Sequence, residues 1–165
     1  MVDAKLVDVP LAAHFKLSSE LCPKTEEDVQ KMAKVPYASA VGSVMYAMVC
    51  TRPNIAHAVS LVSRYMANPG KAHWEVVKWL LRYLKGSLNC GLLYKRLDEP
   101  SYLVKGFVDA DHAGDLDKRR SSRGYIFTVG GGCISWKSQL QTIVALSTTK
   151  SSTLMLLSAS SKHFG

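Results

Sequence analysis

His73-Trp-Glu-Val-Val-Lys-Trp-Leu-Leu-Arg-Tyr-Leu-Lys-Gly86 is the stretch from which the rest of the chain is read. Trp74, Val77, Leu81 and Leu84 recur three and four positions apart, the spacing of one helical face. Lys78, Arg82 and Lys85 fall on another face at i, i+4 and i+7, so the same helix presents a row of cations. Gly86 is a natural C-terminal stop. Towards the N-terminus, Asn68-Pro69-Gly70 marks a turn, and Ile55, Ala58, Val59, Val62 and Met66 form a second apolar stripe. Thr51-Arg52-Pro53 separates it from a third stripe, Val41, Val44, Met45 and Met48. Ala38 and Gly42 put small residues on one side of that helix, where another backbone could approach closely. Three helices are therefore expected before residue 87. Pro10 and Pro23 interrupt residues 1–35, and Lys24-Thr25-Glu26-Glu27-Asp28 is polar. That segment reads as a peripheral strand or arm, extended and then loop-like, with no core of its own.

Beyond Gly91 the period drops to two. Leu92-Leu93-Tyr94 reads as a strand end, and Tyr102–Val108, Gly124–Val129 and Cys133–Lys137 read as strands. Gly130-Gly131-Gly132 supplies a hairpin turn, and Ser147 an N-cap for a terminal helix to Lys162. The order is three strands and then a helix, which makes the fold class α+β.

The 165 residues are 47% apolar and 21% charged, which excludes a wholly disordered, collagen-like or coiled-coil chain. The apolar run Val44–Cys50 is too short to span a bilayer. Asp3, Lys5 and Asp8 interrupt the N-terminus and no apolar h-region follows, so an intracellular protein, cytoplasmic or nuclear and not secreted, is expected. Cys22, Cys50, Cys90 and Cys133 form no CxxC pair, which argues against zinc and for free thiols. The net charge of +8 is uneven. Residues 1–36 hold five Lys/Arg and six Asp/Glu, whereas residues 37–97 hold eight Lys/Arg and one acid, Glu75. Such an excess is either a polyanion-binding surface or a solvated basic face.

Two groups could carry chemistry. Asp109 and Asp111 share a strand face if the strand persists through both, and hard oxygen ligands at a strand end can hold Mg²⁺. Asp115 and Asp117 stand beside Lys118, Arg119 and Arg120, where loop ion pairing is the plainer reading. The cations Lys78, Arg82 and Lys85, with the second cluster Lys118, Arg119, Arg120 and Arg123, could each neutralise a phosphate without reading sequence. Trp74, Trp79 and Tyr83 could stack on bases, although tryptophans at helical spacing are more often core or interface residues. His57, His73 and His112 stand in no metal-ligand spacing, and no Gly-rich phosphate loop precedes a helix.

Tyr37-Ala-Ser-Ala-Val-Gly-Ser-Val-Met-Tyr46, Cys50-Thr-Arg-Pro-Asn-Ile-Ala56, the His73–Gly86 stretch, Val108-Asp-Ala-Asp-His-Ala-Gly-Asp115 and Ile134-Ser-Trp-Lys-Ser138 together resemble the Pol polyprotein of copia-type LTR retrotransposons. The resemblance covers nearly the whole chain. It implies that residues 1–35 are the end of a reverse transcriptase palm and the approach to its thumb. Residues 36–97 are then the helical thumb and connection, and residues 98–165 an incomplete ribonuclease H-like fold. It matches Asp109 to the first metal-binding aspartate of that module, whose cofactor in the family is Mg²⁺.

The departures from the family pattern bear on activity. No polymerase motif with paired aspartates is found, and Ser152 stands where the family has its metal-binding Glu. Lys150 replaces the Glu of a capping box with Ser147, so a cation opposes the helix dipole there. Asn54 stands where Asp is usual. The family resemblance and these departures together imply a partial Pol fragment, catalytically inactive, that binds no Mg²⁺ productively. It keeps sequence-independent affinity for an RNA–DNA or DNA duplex. No membrane partner is expected, and an exposed sheet edge invites self-association. Two alternatives stand beside this reading. One is a Mg²⁺-dependent hybrid ribonuclease completed by another chain. The other is a non-catalytic protein-interaction module built on Trp74.

Overall fold

The computed structural model describes residues 4–95, 104–111 and 114–141. The Ser147–Lys162 helix, Lys150, Ser152 and His112 lie outside the described residues. The chain divides between Gly91 and Leu92 into two compact units, one helical and one built on a sheet.

Four helices, not three, precede residue 87: α1 Glu26–Ala33, α2 Tyr37–Thr51, α3 Ala56–Ser63 and α4 Lys71–Gly86. The additional helix is α1. Its start is the polar cluster read as loop: Thr25 is the N-cap, its Oγ1 accepts the Asp28 N–H at 3.3 Å, and Glu26, Glu27 and Asp28 occupy the first turn. Acids there complement the exposed amides and the helix dipole. The apolar stripe of α1 is short, Val29, Met32 and Ala33, and none of it is fully buried. Between α2 and α3, a short 3₁₀ turn Pro53–Ile55 begins with the proline, whose missing N–H costs nothing in a first turn.

Helix α4 is the centre of the helical unit. Val76, Val77 and Leu80 are wholly buried. Trp74, Leu81 and Leu84 lie at the margins of the core. The buried face is thus rotated by about one residue from the stripe Trp74, Val77, Leu81, Leu84. Two helices pack on α4, so its buried arc is wide and centres on the compact aliphatic side chains. Leu17, Tyr37, Val41, Val62, Tyr65, Val76 and Val77 form one core cluster, and Val44, Ile55, Ala58, Val59 and Leu80 a second. Leu17 therefore joins the core from the segment read as peripheral, and Leu11, Phe15 and Cys22 pack against it. Helix α2 buries Tyr37, Val41 and Val44 and turns Ala38 and Gly42 outward. The close backbone approach expected at Gly42 is absent, since a β-carbon there would meet nothing.

Buried polar groups tie the helices together. The Tyr37 hydroxyl donates to the Val62 carbonyl at 2.8 Å. His73 Nδ1 accepts the Gly70 N–H at 2.8 Å, its Nε2 lies 3.2 Å from the Ser18 carbonyl, and its ring stacks on Tyr65 at 4.1 Å. The buried Arg52 guanidinium donates to Ser87 Oγ and to the Ser87 and Leu88 carbonyls, closing the C-terminal end of α4. Among the described residues no helix is long and apolar enough to cross a membrane.

In the second unit β1 Val104–Asp111, β2 Ser122–Val129 and β3 Gly132–Leu140 form an antiparallel sheet in the order β1-β2-β3. Gly130 (φ 56°) and Gly131 (φ 80°) make the two-residue turn, whose positive φ values suit glycine and match the strand twist. Leu92–Tyr94 is not a strand. Instead the Tyr94 ring lies against Gly132 and its hydroxyl donates to the Cys133 carbonyl at 2.6 Å.

Burial pushes the Tyr37 phenol well above its ordinary pKa. The unfolded chain therefore loses this proton first, and stability falls as pH rises past the ordinary tyrosine value. We expect Tyr37→Phe to cost about 1 kcal/mol at neutral pH through the lost hydrogen bond. The variant should also show a shallower alkaline decline, measured by urea unfolding from pH 7 to 11. Leu80→Ala should cost about 2–5 kcal/mol in the same assay.

Candidate functional site

The cations of α4 stand on its flank, beside the aromatic side chains rather than apart from them. Lys78 is half-buried and pairs with Glu75 one turn earlier, Nζ to Oε1 2.7 Å. The Arg82 guanidinium sits 4.9 Å over the Trp79 ring, and its buried Nε has no hydrogen-bond partner. Lys85, in the last turn, is also half-buried. Trp79 is itself fixed: its Nε1–H donates to the Val9 carbonyl at 2.9 Å, and Phe15 meets it edge-on at 5.5 Å. Tyr83 accepts a hydrogen bond from the Asn54 amide. Trp79 and Tyr83 thus brace the helical unit, and Arg82 is held by packing as well as by charge. The row delivers three cations along one helix, with the Lys78 charge partly offset by Glu75.

The second basic cluster lies on the β1–β2 connection. Asp115, 4% exposed, organises it. Its carboxylate accepts the Lys118 N–H at 2.9 Å, its carbonyl accepts the Arg119 N–H at 2.9 Å, and its own N–H donates to the Arg120 carbonyl at 3.1 Å. Arg119 adopts φ 52°, a left-handed conformation held by these bonds. Lys118 and Arg119 are exposed, while Arg120 and Arg123 are half-buried. The sequence favours loop ion pairing for Asp115, and in the structure its carboxylate holds a backbone N–H of its own loop.

Strand β1 does persist through Asp109 and Asp111, which lie opposite Gly124 and Ser122. The Asp109 side chain is exposed. Among the described residues no group of three or more His, Cys, Asp or Glu side chains could hold a metal ion. The Asp115 carboxylate engages its own loop, and the Asp109 side chain is exposed.

Two features escaped the sequence reading. Helix α2 carries no charged residue, and its outer strip Ala38, Gly42, Met45, Tyr46 and Val49 is exposed. The i, i+3, i+4, i+7 spacing of Gly42, Met45, Tyr46 and Val49 could have revealed it. A groove of about 520 Å³ also opens between α1 and the start of α4, lined in part by Met32, Lys71, Trp74 and Lys78. It depends on α1, which the sequence reading lacked.

Comparison with known proteins gives a consistent result. Over 150 residues, 91% of the chain, it is 60% identical to the retrovirus-related Pol polyprotein from transposon TNT 1-94 of Nicotiana tabacum, covering 11% of that protein. Over 150 residues it is 36% identical to the corresponding polyprotein from transposon RE2 of Arabidopsis thaliana, covering 10% of it. It is also 44% identical over 128 residues to the secreted RxLR effector protein 161 of Plasmopara viticola, covering 89% of that protein. The chain thus spans about a tenth of the length of the polyproteins it matches. No family model matches, and no solved structure gives a significant match.

Removing the Asp115 carboxylate leaves the Lys118 N–H without its partner. Asp115→Ala should cost about 1–3 kcal/mol of stability. It should also speed amide hydrogen exchange at Lys118 while leaving exchange in α4 unchanged.

Proposed function

The chain belongs to the retrovirus-related Pol polyproteins of transposons as one short segment, and from this premise we propose a thumb and connection joined to ribonuclease H-like strands. It binds nucleic acid duplexes by their backbone and catalyses nothing. The observation that carries this is the cationic flank of α4 within residues 37–97, where eight Lys/Arg face one acid. Lys78, Arg82 and Lys85 are spaced to meet successive phosphates, a contact that fixes position without reading bases. Lys118 and Arg119, held outward by the Asp115 loop, offer a second contact, with Arg120 and Arg123 behind them.

Inactivity follows from ligand chemistry. Two-metal hydrolysis holds two dications about 4 Å apart, which takes several convergent carboxylates. Asp109 is exposed, and Ser152 offers a hydroxyl where the related sequences offer a carboxylate. The alternative hybrid ribonuclease would need a second chain to bring the missing acids to Asp109.

Two measurements test the proposal. Affinity for a blunt RNA–DNA hybrid should fall steeply with salt. Lys78→Ala with Lys85→Ala should reduce the slope of log K against log salt by about 2, with Arg82 retained because it packs on Trp79. Salt-independent binding would sink the backbone reading. In Mg²⁺ the hybrid should remain intact in the presence of the protein. Cleavage that disappears in Asp109→Asn would establish the ribonuclease instead.

A further inference from the structure

We propose that the groove between α1 and the first turns of α4 binds one unpaired nucleotide of a strand that continues beyond the duplex. The inference rests on the duplex-binding reading and names a second element of the same partner. The groove, about 520 Å³, is of the size that holds a single small ligand. Cys22, Met32, Val35 and Trp74 give it an apolar lining. Trp74 packs against the main core cluster, with the Tyr37 ring at 6.4 Å, so the indole is a fixed platform.

The walls are also fixed. His73 ties the Gly70 N–H to the Ser18 carbonyl, and a β-carbon at Gly70 would collide with the Leu21 carbonyl. Lys31 lies between two carboxylates, Glu27 at 3.8 Å and Asp28 at 4.0 Å, and Lys78 lies 2.7 Å from Glu75. Lys71 is exposed and has no carboxylate partner among the described residues. An aromatic platform, a thioether and an exposed lysine with no ion-pair partner at the rim fit a planar ring that carries a single anionic group.

Continuity with the duplex surface selects a nucleotide. Lys71, Lys78 and Lys85 recur every seven residues, a near-straight line along α4 with steps of about 10 Å. Lys78 belongs both to this line and to the groove. A strand held along the line is thereby led to Trp74.

The test compares three labelled probes by fluorescence anisotropy: a blunt RNA–DNA hybrid, the same hybrid with a three-nucleotide overhang, and a single-stranded octanucleotide. The overhang should tighten binding by about tenfold, within the range expected for stacking of one base on an aromatic side chain. Trp74→Leu, which keeps an apolar residue against the core, and Lys71→Ala, at an exposed position, should each remove most of this gain. Trp74→Leu should leave blunt-hybrid affinity within about threefold. Blunt binding with no overhang gain, or a gain that survives both variants, overturns the groove and leaves the duplex reading standing. If the blunt hybrid does not bind, the duplex reading fails. Octanucleotide binding insensitive to both variants, or none at all, then overturns the groove as well.

Discussion

Complete burial of Val76, Val77 and Leu80 on α4 is the constraint from which the helical unit follows. Each such side chain is worth roughly 1.5–3 kcal/mol when removed from water. Together they fix the rotation of α4 about its axis against α2 and α3. That rotation leaves only the flanks for everything else. The tryptophans fall at the core margin, where an indole can keep one side packed and its N–H on a partner. Lys78, Arg82 and Lys85 fall just outside them, with their stems against protein and their charges towards water. The cationic flank is therefore a consequence of core packing, and a shift of α4 by one residue would withdraw the cations and expose the valines.

Hydrophobic contacts alone would hold α4 loosely in register, and the buried polar groups remove that freedom. His73 bridges its own N-cap backbone and the Ser18 carbonyl, tying the first turn of α4 to a segment far away in sequence. Arg52 does the same at the other end through Ser87 and Leu88. A guanidinium at a helix C-terminus meets the negative end of the helix dipole, so carbonyl oxygens compensate the burial of its charge. Asn54 is part of the same corner, bonded to Tyr83. Its amide donates this bond while the corner stays without a carboxylate.

How much of this was legible depended on the signal each element writes. Helices α2, α3 and α4 repeat apolar residues at helical spacing, and β2 and β3 flank a glycine turn, so all were readable. Helix α1 writes a weaker signal, a Thr25 N-cap with Asp28 three positions later and a stripe of only Val29, Met32 and Ala33, within a segment dominated by charge. The rotation of α4 was not readable, because Val76 and Leu81 are equally apolar and only neighbours on two sides choose between them. The bond from Trp79 to Val9 spans 70 residues and has no local trace. At the candidate site, the cations were legible as a row. The role of Asp115 was not, since a carboxylate that caps a loop and one that binds a metal look alike until the backbone amides around it are placed.

The described acids are spread over both units. Asp28 and Glu75 are opposed by lysines, and Asp115 is directed at the amides of its loop. Asp109 lies on an exposed stretch of β1, between Phe107 and Ala110, opposite a glycine that offers no side chain. Metal coordination demands that anionic oxygens converge and that neighbours repay their mutual repulsion. Glu27, Asp28, Glu75 and Asp115 each lie against a local donor. Helix α4 itself carries Lys71, Lys78, Arg82 and Lys85 against the one acid Glu75, and this net positive charge is what the proposed duplex contact rests on.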